Sequence, residues 1–202
     1  ISKDNGDIER KFWKDDFSVD SSKNWTVETG SLTVGSGSLQ VTGIPPTPSK
    51  SFALTPIPAP NNVRKISFVV SIDSANVGTG SYRYITGYIG STRLFNIFRE
   101  NYDTHVRIEM FGKTTTKIYA DDSRYDFILH EDGTFRAYVN GVSVLSGSGA
   151  TLPSGAFTFR LRTSVAGSNS VIYEMKDVSI ASSESYSDDF TTDTTERYQP
   201  VL

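Results

Sequence analysis

The sequence predicts an all-β fold: a two-sheet antiparallel β-sandwich of the jelly-roll kind. Three observations predict it. Ser, Thr, β-branched and aromatic residues dominate, with 10 Tyr and 12 Phe against 2 Met in 202 residues, a balance that favours short strands over helices. Apolar and polar residues alternate with period two, almost without a break, from residue 64 onward. Gly-containing turn signals separate the alternating runs at intervals typical of sandwiches.

Residues 1–11 are charged and aperiodic and are read as a tail or linker, 12–182 as the sandwich domain, and 183–202 as a separate C-terminal segment. Leu32 and Val34, then Leu39 and Val41, alternate with polar residues around Gly35-Ser36-Gly37, as a hairpin requires. Trp25 alternates with Val27 and is expected in the core, and Trp13 is expected to pack as well. The segment 44–60 holds six prolines. Because proline cannot donate to a ladder, it is expected as an irregular edge or a wrapping loop.

Further on, Ile66, Phe68, Val70 and Ile72 share one strand face. Tyr82, Tyr84, Thr86 and Tyr88 lie opposite Ile85 and Ile89. Val106, Ile108 and Met110 alternate with His105, Arg107 and Glu109, and Phe157, Phe159 and Leu161 with Arg160 and Arg162. Asp132-Gly133 and Asn140-Gly141 predict two tight two-residue turns in a three-stranded meander. The whole amounts to roughly 12–14 strands and no helix.

Composition excludes several classes. There is no cysteine, hence no disulfide framework or thiolate site. A net charge of −3 gives no reason to expect nucleic acid or an anionic membrane as partner. No apolar run is long enough for a transmembrane helix. The sequence starts at Ile1, which reads as a chain with its signal peptide removed or a segment of a longer one.

Asp15-Asp16-Phe17 near the start returns as Asp188-Asp189-Phe190 near the end, with Ser/Thr/Asp residues following both. Beside coincidence, two readings follow. Residues 183–202 open a second copy of the domain, or they form an exchangeable strand that joins copies of the chain into a filament or array.

The opening Asp15-Asp16-Phe17 with Trp25 beyond it, followed by an aromatic two-sheet pattern, resembles the concanavalin A-like lectin/glucanase superfamily, in particular its laminin-G-like and carbohydrate-binding-module branches. The meander from Arg124 to Leu145, with its Asp-Gly turn and Tyr-Val-Asn-Gly strand end, resembles the one those domains carry. Met175-Lys176-Asp177-Val178-Ser179-Ile180 resembles their closing strand. The resemblance covers residues 12–181. It implies a jelly roll whose concave sheet binds glycans, with a calcium ion near the domain ends.

No catalytic motif of that superfamily is found. Its glycosidases carry two Glu flanking an Asp at alternate strand positions, so that both carboxylates face the sugar. Here Glu109 and Glu174 are isolated. Arg107-Ile108-Glu109 fits the first of three strand motifs of alginate-lyase relatives, and the other two are missing. The expectation is therefore no enzyme. It is a non-catalytic carbohydrate-binding or adhesion module of an extracellular, cell-surface or virion protein, with a self-assembling structural subunit as the alternative.

A pyranose offers apolar C–H faces and polar hydroxyl edges, so its sites combine aromatic rings with Arg, Asn or carboxylates. That mix marks Tyr82, Tyr84, Tyr88, Arg107, Glu109, Arg136, Tyr138, Arg160, Arg162 and Glu174 as candidate ligand-binding residues. The competing reading is a solvated outer sheet with cross-strand ion pairs. For structural Ca2+, Asp15, Asp16, Asp20 and Asp177 are the candidates by resemblance, against ordinary turn-forming aspartates.

Overall fold

A computed structural model describes residues 12–27, 31–42, 52–57, 59–72, 82–100, 104–163, 171 and 173–182. The tail 1–11 and the repeat in 183–202 lie outside the described residues, and with them the second-copy and strand-exchange readings.

Fifteen strands are described: β1 (Phe12–Asp15), β2 (Trp25–Val27), β3 (Ser31–Gly35), β4 (Ser38–Thr42), β5 (Phe52–Pro56), β6 (Lys65–Ile72), β7 (Tyr82–Ile89), β8 (Thr92–Glu100), β9 (His105–Met110), β10 (Lys113–Ile118), β11 (Ser123–Leu129), β12 (Phe135–Val139), β13 (Val142–Gly147), β14 (Phe157–Thr163) and β15 (Tyr173–Ala181). The helical content among the described residues is one 3-10 turn, Ser22–Asn24. An eight-stranded sheet runs β13-β12-β11-β6-β15-β4-β3, with β1 also on β15. A seven-stranded sheet runs β10-β9-β8-β7-β14-β5-β2. All pairs are antiparallel, so the architecture is the predicted all-β sandwich.

Strand β15 serves two partners in succession. Tyr173 to Met175 pair with β4, and Val178 to Ala181 pair with β1. A register shift between Lys176 and Ser179, with Asp177 at φ 48°, separates the halves.

The core is the set of inward residues that alternation marks. Ile66, Phe68, Val70 and Ile72 are fully buried, as are Phe127, Leu129, Phe157, Phe159 and Leu161. Phe95 from one sheet stacks flat on Phe127 from the other, centroids 4.0 Å apart. Gly87 makes room for this stack: a Cβ there would come within 2.3 Å of the Phe95 ring. Trp13 and Trp25 are both buried and meet edge to face at 4.7 Å.

Two expectations are corrected. The middle of the proline-rich segment is an interior strand: β5 pairs with β14 on one side and β2 on the other. It can do so because Phe52 to Thr55 contain no proline and Pro56 sits at the strand's last position, where one missing N–H is tolerated. Asp132-Gly133 does not form a two-residue turn. His130 N–H bonds Thr134 O across a three-residue loop with Gly133 at φ 78°, and Asp132 holds Thr134 through both N–H and hydroxyl. Asn140-Gly141 is the expected tight turn, both residues at positive φ between paired Val139 and Val142.

Candidate functional site

The outer face of the seven-stranded sheet carries most of the candidate residues in register. Buried residues alternate with exposed or half-buried ones along β9 and β14, and along β7 except at buried Thr86, so one side chain in two points out. One row crosses five strands: Thr116, Arg107, Phe98, Tyr84 and Arg162 stand opposite one another in successive pairs. A second holds Thr114, Glu109, Asn96, Thr86 and Arg160. A third holds Arg93, Tyr88 and Thr158, with Thr158 hydrogen-bonded to Thr55 at 2.9 Å.

Tyr82, Tyr84 and Phe98 form an aromatic cluster with centroids 4.9–6.2 Å apart. Arg107 lies over Phe98 at 4.5 Å, Arg160 over Tyr88 at 4.9 Å and Arg162 over Tyr84 at 5.8 Å. These are cation–π contacts. Glu109 is ion-paired to Arg93. Thr86 donates to Asn96 at 2.9 Å, fixing the amide between the aromatic rows.

A core residue supports this face from behind. Tyr173, wholly buried, reaches across from the eight-stranded sheet. Its hydroxyl accepts from Tyr84 N–H at 3.1 Å and meets the carbonyls of Tyr84 and Arg162. It pins β7 and β14 where the Tyr84–Arg162 row crosses. Burial pushes its phenol well above the usual range, so it stays a neutral hydrogen-bonding group.

Seven of the ten candidates therefore share one surface: Tyr82, Tyr84, Tyr88, Arg107, Glu109, Arg160 and Arg162. The other three do not join them. Arg136, Tyr138 and Glu174 lie on β12 and β15 of the opposite sheet. Alternation told which residues share a face within a strand but not which sheet the strand enters. On that sheet charges meet opposite charges: Arg124 and Lys14 with Asp177, Lys176 with Asp122. Glu174 accepts from Gln40 at 3.4 Å. Phe98, Asn96, Thr86 and Arg93 belong to the site although composition did not mark them. Phe98 stands on this face because it pairs with the outward Tyr84.

The four aspartates proposed for calcium have other occupations. Asp15 is buried and accepts from Phe17 N–H and Trp25 Nε1, both at 2.9 Å. Asp16 accepts from Ser18 N–H and Asp20 from Ser22 N–H, and these bonds hold both carboxyls below the usual carboxylate range. Asp177 is paired with Arg124 and Lys14. Among the described residues no group of three or more His, Asp or Glu gathers as a metal site would require.

Two antiparallel sheets with this strand order make a sandwich of the concanavalin A-like fold, and solved structures agree. The chain is similar to a structure described as Crh5 transglycosylase in complex with NAG, at 15% identity and TM-score 0.62, over 86% of this chain and 84% of that one. It is similar to Bacillus licheniformis β-glucanase at 12% identity and TM-score 0.59, over 84% and 97%. It is also similar to a galectin-like-fold protein from Bacillus subtilis at 11% and 0.56, over 84% and 94%. No protein-family model matches the sequence, and no curated protein matches it either. At such identities the likeness establishes the fold. It also overturns the expectation of a non-catalytic module and of no enzyme, because these neighbours are mainly glycosidases and transglycosylases. No helix among the described residues is long and apolar enough to cross a membrane.

Proposed function

We propose that this chain is a carbohydrate-active enzyme that takes a polysaccharide across the outer face of its seven-stranded sheet and acts on it there, outside the cell. One observation carries the reading. Three aligned rows on one face offer rings for sugar C–H faces and guanidinium, amide and hydroxyl groups for sugar edges. The neighbours support it: one was solved with laminaritriose and laminaritetraose, another is an endo-β-galactosidase.

Glu109 is the one carboxylate among the described side chains of this face. It stands beside Asn96, one row from the aromatic cluster. The general acid–base role falls to it. The test is incubation of the full chain with neutral and acidic polysaccharides, with and without calcium, reading new reducing ends and transfer products. Turnover that disappears in Glu109→Gln is expected. No turnover on any substrate would refute the reading, and full activity in Glu109→Gln would refute the role of that residue.

A further inference from the structure

We infer, resting on that reading of the face, that Asn96 binds the substrate, its amide nitrogen donating to a sugar oxygen beside the bond that Glu109 acts on, and that Thr86 is the positioning residue that turns the amide to do so. The argument starts from burial. Asn96 and Thr86 stand directly opposite each other on β8 and β7, two inner strands of the seven-stranded sheet. Both are polar, and each is 6% exposed. A buried amide costs free energy unless its donors and acceptor are hydrogen-bonded, so the use of each end matters.

The acceptor end is used inside the protein. Thr86 Oγ1 donates to Asn96 Oδ1 at 2.9 Å. No second hydrogen bond of the Asn96 side chain is found among the described residues, which leaves the two N–H donors of the amide for a ligand. They lie close to the proposed acid–base group. Glu109 pairs directly across from Asn96 on β9, and residues so placed have Cβ atoms about 5 Å apart. The Glu109 carboxylate is held by Arg93 and not by the amide.

The rows on either side suit a sugar. Two residues along β7 in one direction, about 7 Å away, stands Tyr84 with its partner Phe98. Two residues in the other direction stands Tyr88, with Arg160 over its ring. Rings take the C–H faces of a pyranose, and a donor between them takes an oxygen on its edge. An aliphatic side chain at 96 would be easier to bury but would offer no donor. Without the Thr86 hydroxyl the amide is free to present either end.

The experiment measures binding by calorimetry in the Glu109→Gln background of the full chain, so that turnover does not intervene, with laminarin, a mixed-linkage β-glucan and chitohexaose as probes. Binding of at least one is expected. Asn96→Asp keeps an acceptor for Thr86 and loses the donors; Thr86→Val keeps the amide and loses its orientation. Each should weaken binding about 10-fold, the range of one lost hydrogen bond. Thr86→Ser returns the hydroxyl and should restore affinity. Thr33→Val, the matched change at an exposed position on β3 of the other sheet, should leave it unchanged.

Undiminished affinity in Asn96→Asp would overturn the inference, as would binding of none of the three probes. Thr86→Val that melts at a lower temperature yet binds like its parent would reduce Thr86 to a structural role and overturn its positioning, and so would a Thr86→Ser variant that fails to recover. The two proposals fail separately. Turnover by the native chain that Asn96→Asp leaves intact refutes the role of Asn96 and leaves the enzyme. Binding that falls in both variants and recovers in Thr86→Ser, in a chain with no turnover, refutes the enzyme and leaves the binding role.

Discussion

Replacing Asp15 by Ala should cost far more than replacing its neighbour Asp16, although sequence makes the two look alike. Asp15 is 8% exposed and takes two donors, Phe17 N–H and Trp25 Nε1, one on each oxygen. Removing it strands both. A buried donor left unsatisfied costs about 1–3 kcal/mol, so the pair comes to about 2–6 kcal/mol. The Trp25 ring it holds packs against Trp13, Phe17 and Phe159, so any tilt is felt in the core. It also steadies Phe17, which sits at φ 57° and whose carbonyl caps the β3–β4 turn at Gly37.

Asp16, by contrast, is exposed and accepts one local bond from Ser18. Asp16→Ala should therefore cost no more than about 1 kcal/mol. For a domain of this size each kcal/mol moves Tm by about 2–4 °C, so Asp15→Ala should fall by the order of 10 °C and Asp16→Ala by a few degrees at most. Thermal unfolding followed by tryptophan fluorescence and near-ultraviolet circular dichroism measures both. Equal falls in the two variants would refute the assignment of Asp15 as a buried two-donor acceptor.

Two further outcomes follow from buried polar groups. Tyr173→Phe removes the hydroxyl that joins β7 and β14 behind the site and should destabilise by about 1–3 kcal/mol in urea unfolding; unchanged stability would show that the strands hold without it. Asp126 lies on β11 with one oxygen lacking a hydrogen-bond partner among the described residues, and burial raises its pKa, offset in part by Ser67 and Arg124. The folded state therefore holds that proton to higher pH than the unfolded chain. The associated stability is complete below the ordinary value of 3.8 and lost as pH rises through the raised folded value. Asp126→Asn should be more stable than the parent at neutral pH, with the gap closing toward acid; a difference that does not change with pH would refute the burial.

Alternation by itself determined the strands and their inward faces. Phe68, Ile108 and Leu161 are buried because period two leaves them no other face once their polar neighbours are solvated. It also placed Tyr82, Tyr84 and Tyr88 together, and Arg160 with Arg162, since each set lies on one strand. What only the tertiary structure decided is which strands stand side by side. β14 inserts between β7 and β5, and that brings Arg162 opposite Tyr84 from nearly eighty residues away in sequence. β12 and β15 join the other sheet, and that takes Arg136, Tyr138 and Glu174 out of the site. Side-chain period is a local property of a strand; pairing is a long-range choice among edges, settled by which combination buries the most apolar surface. Asp15 and Asp16 show the same division on a smaller scale. Two adjacent identical residues are told apart only when Trp25, ten positions on, folds back onto one of them.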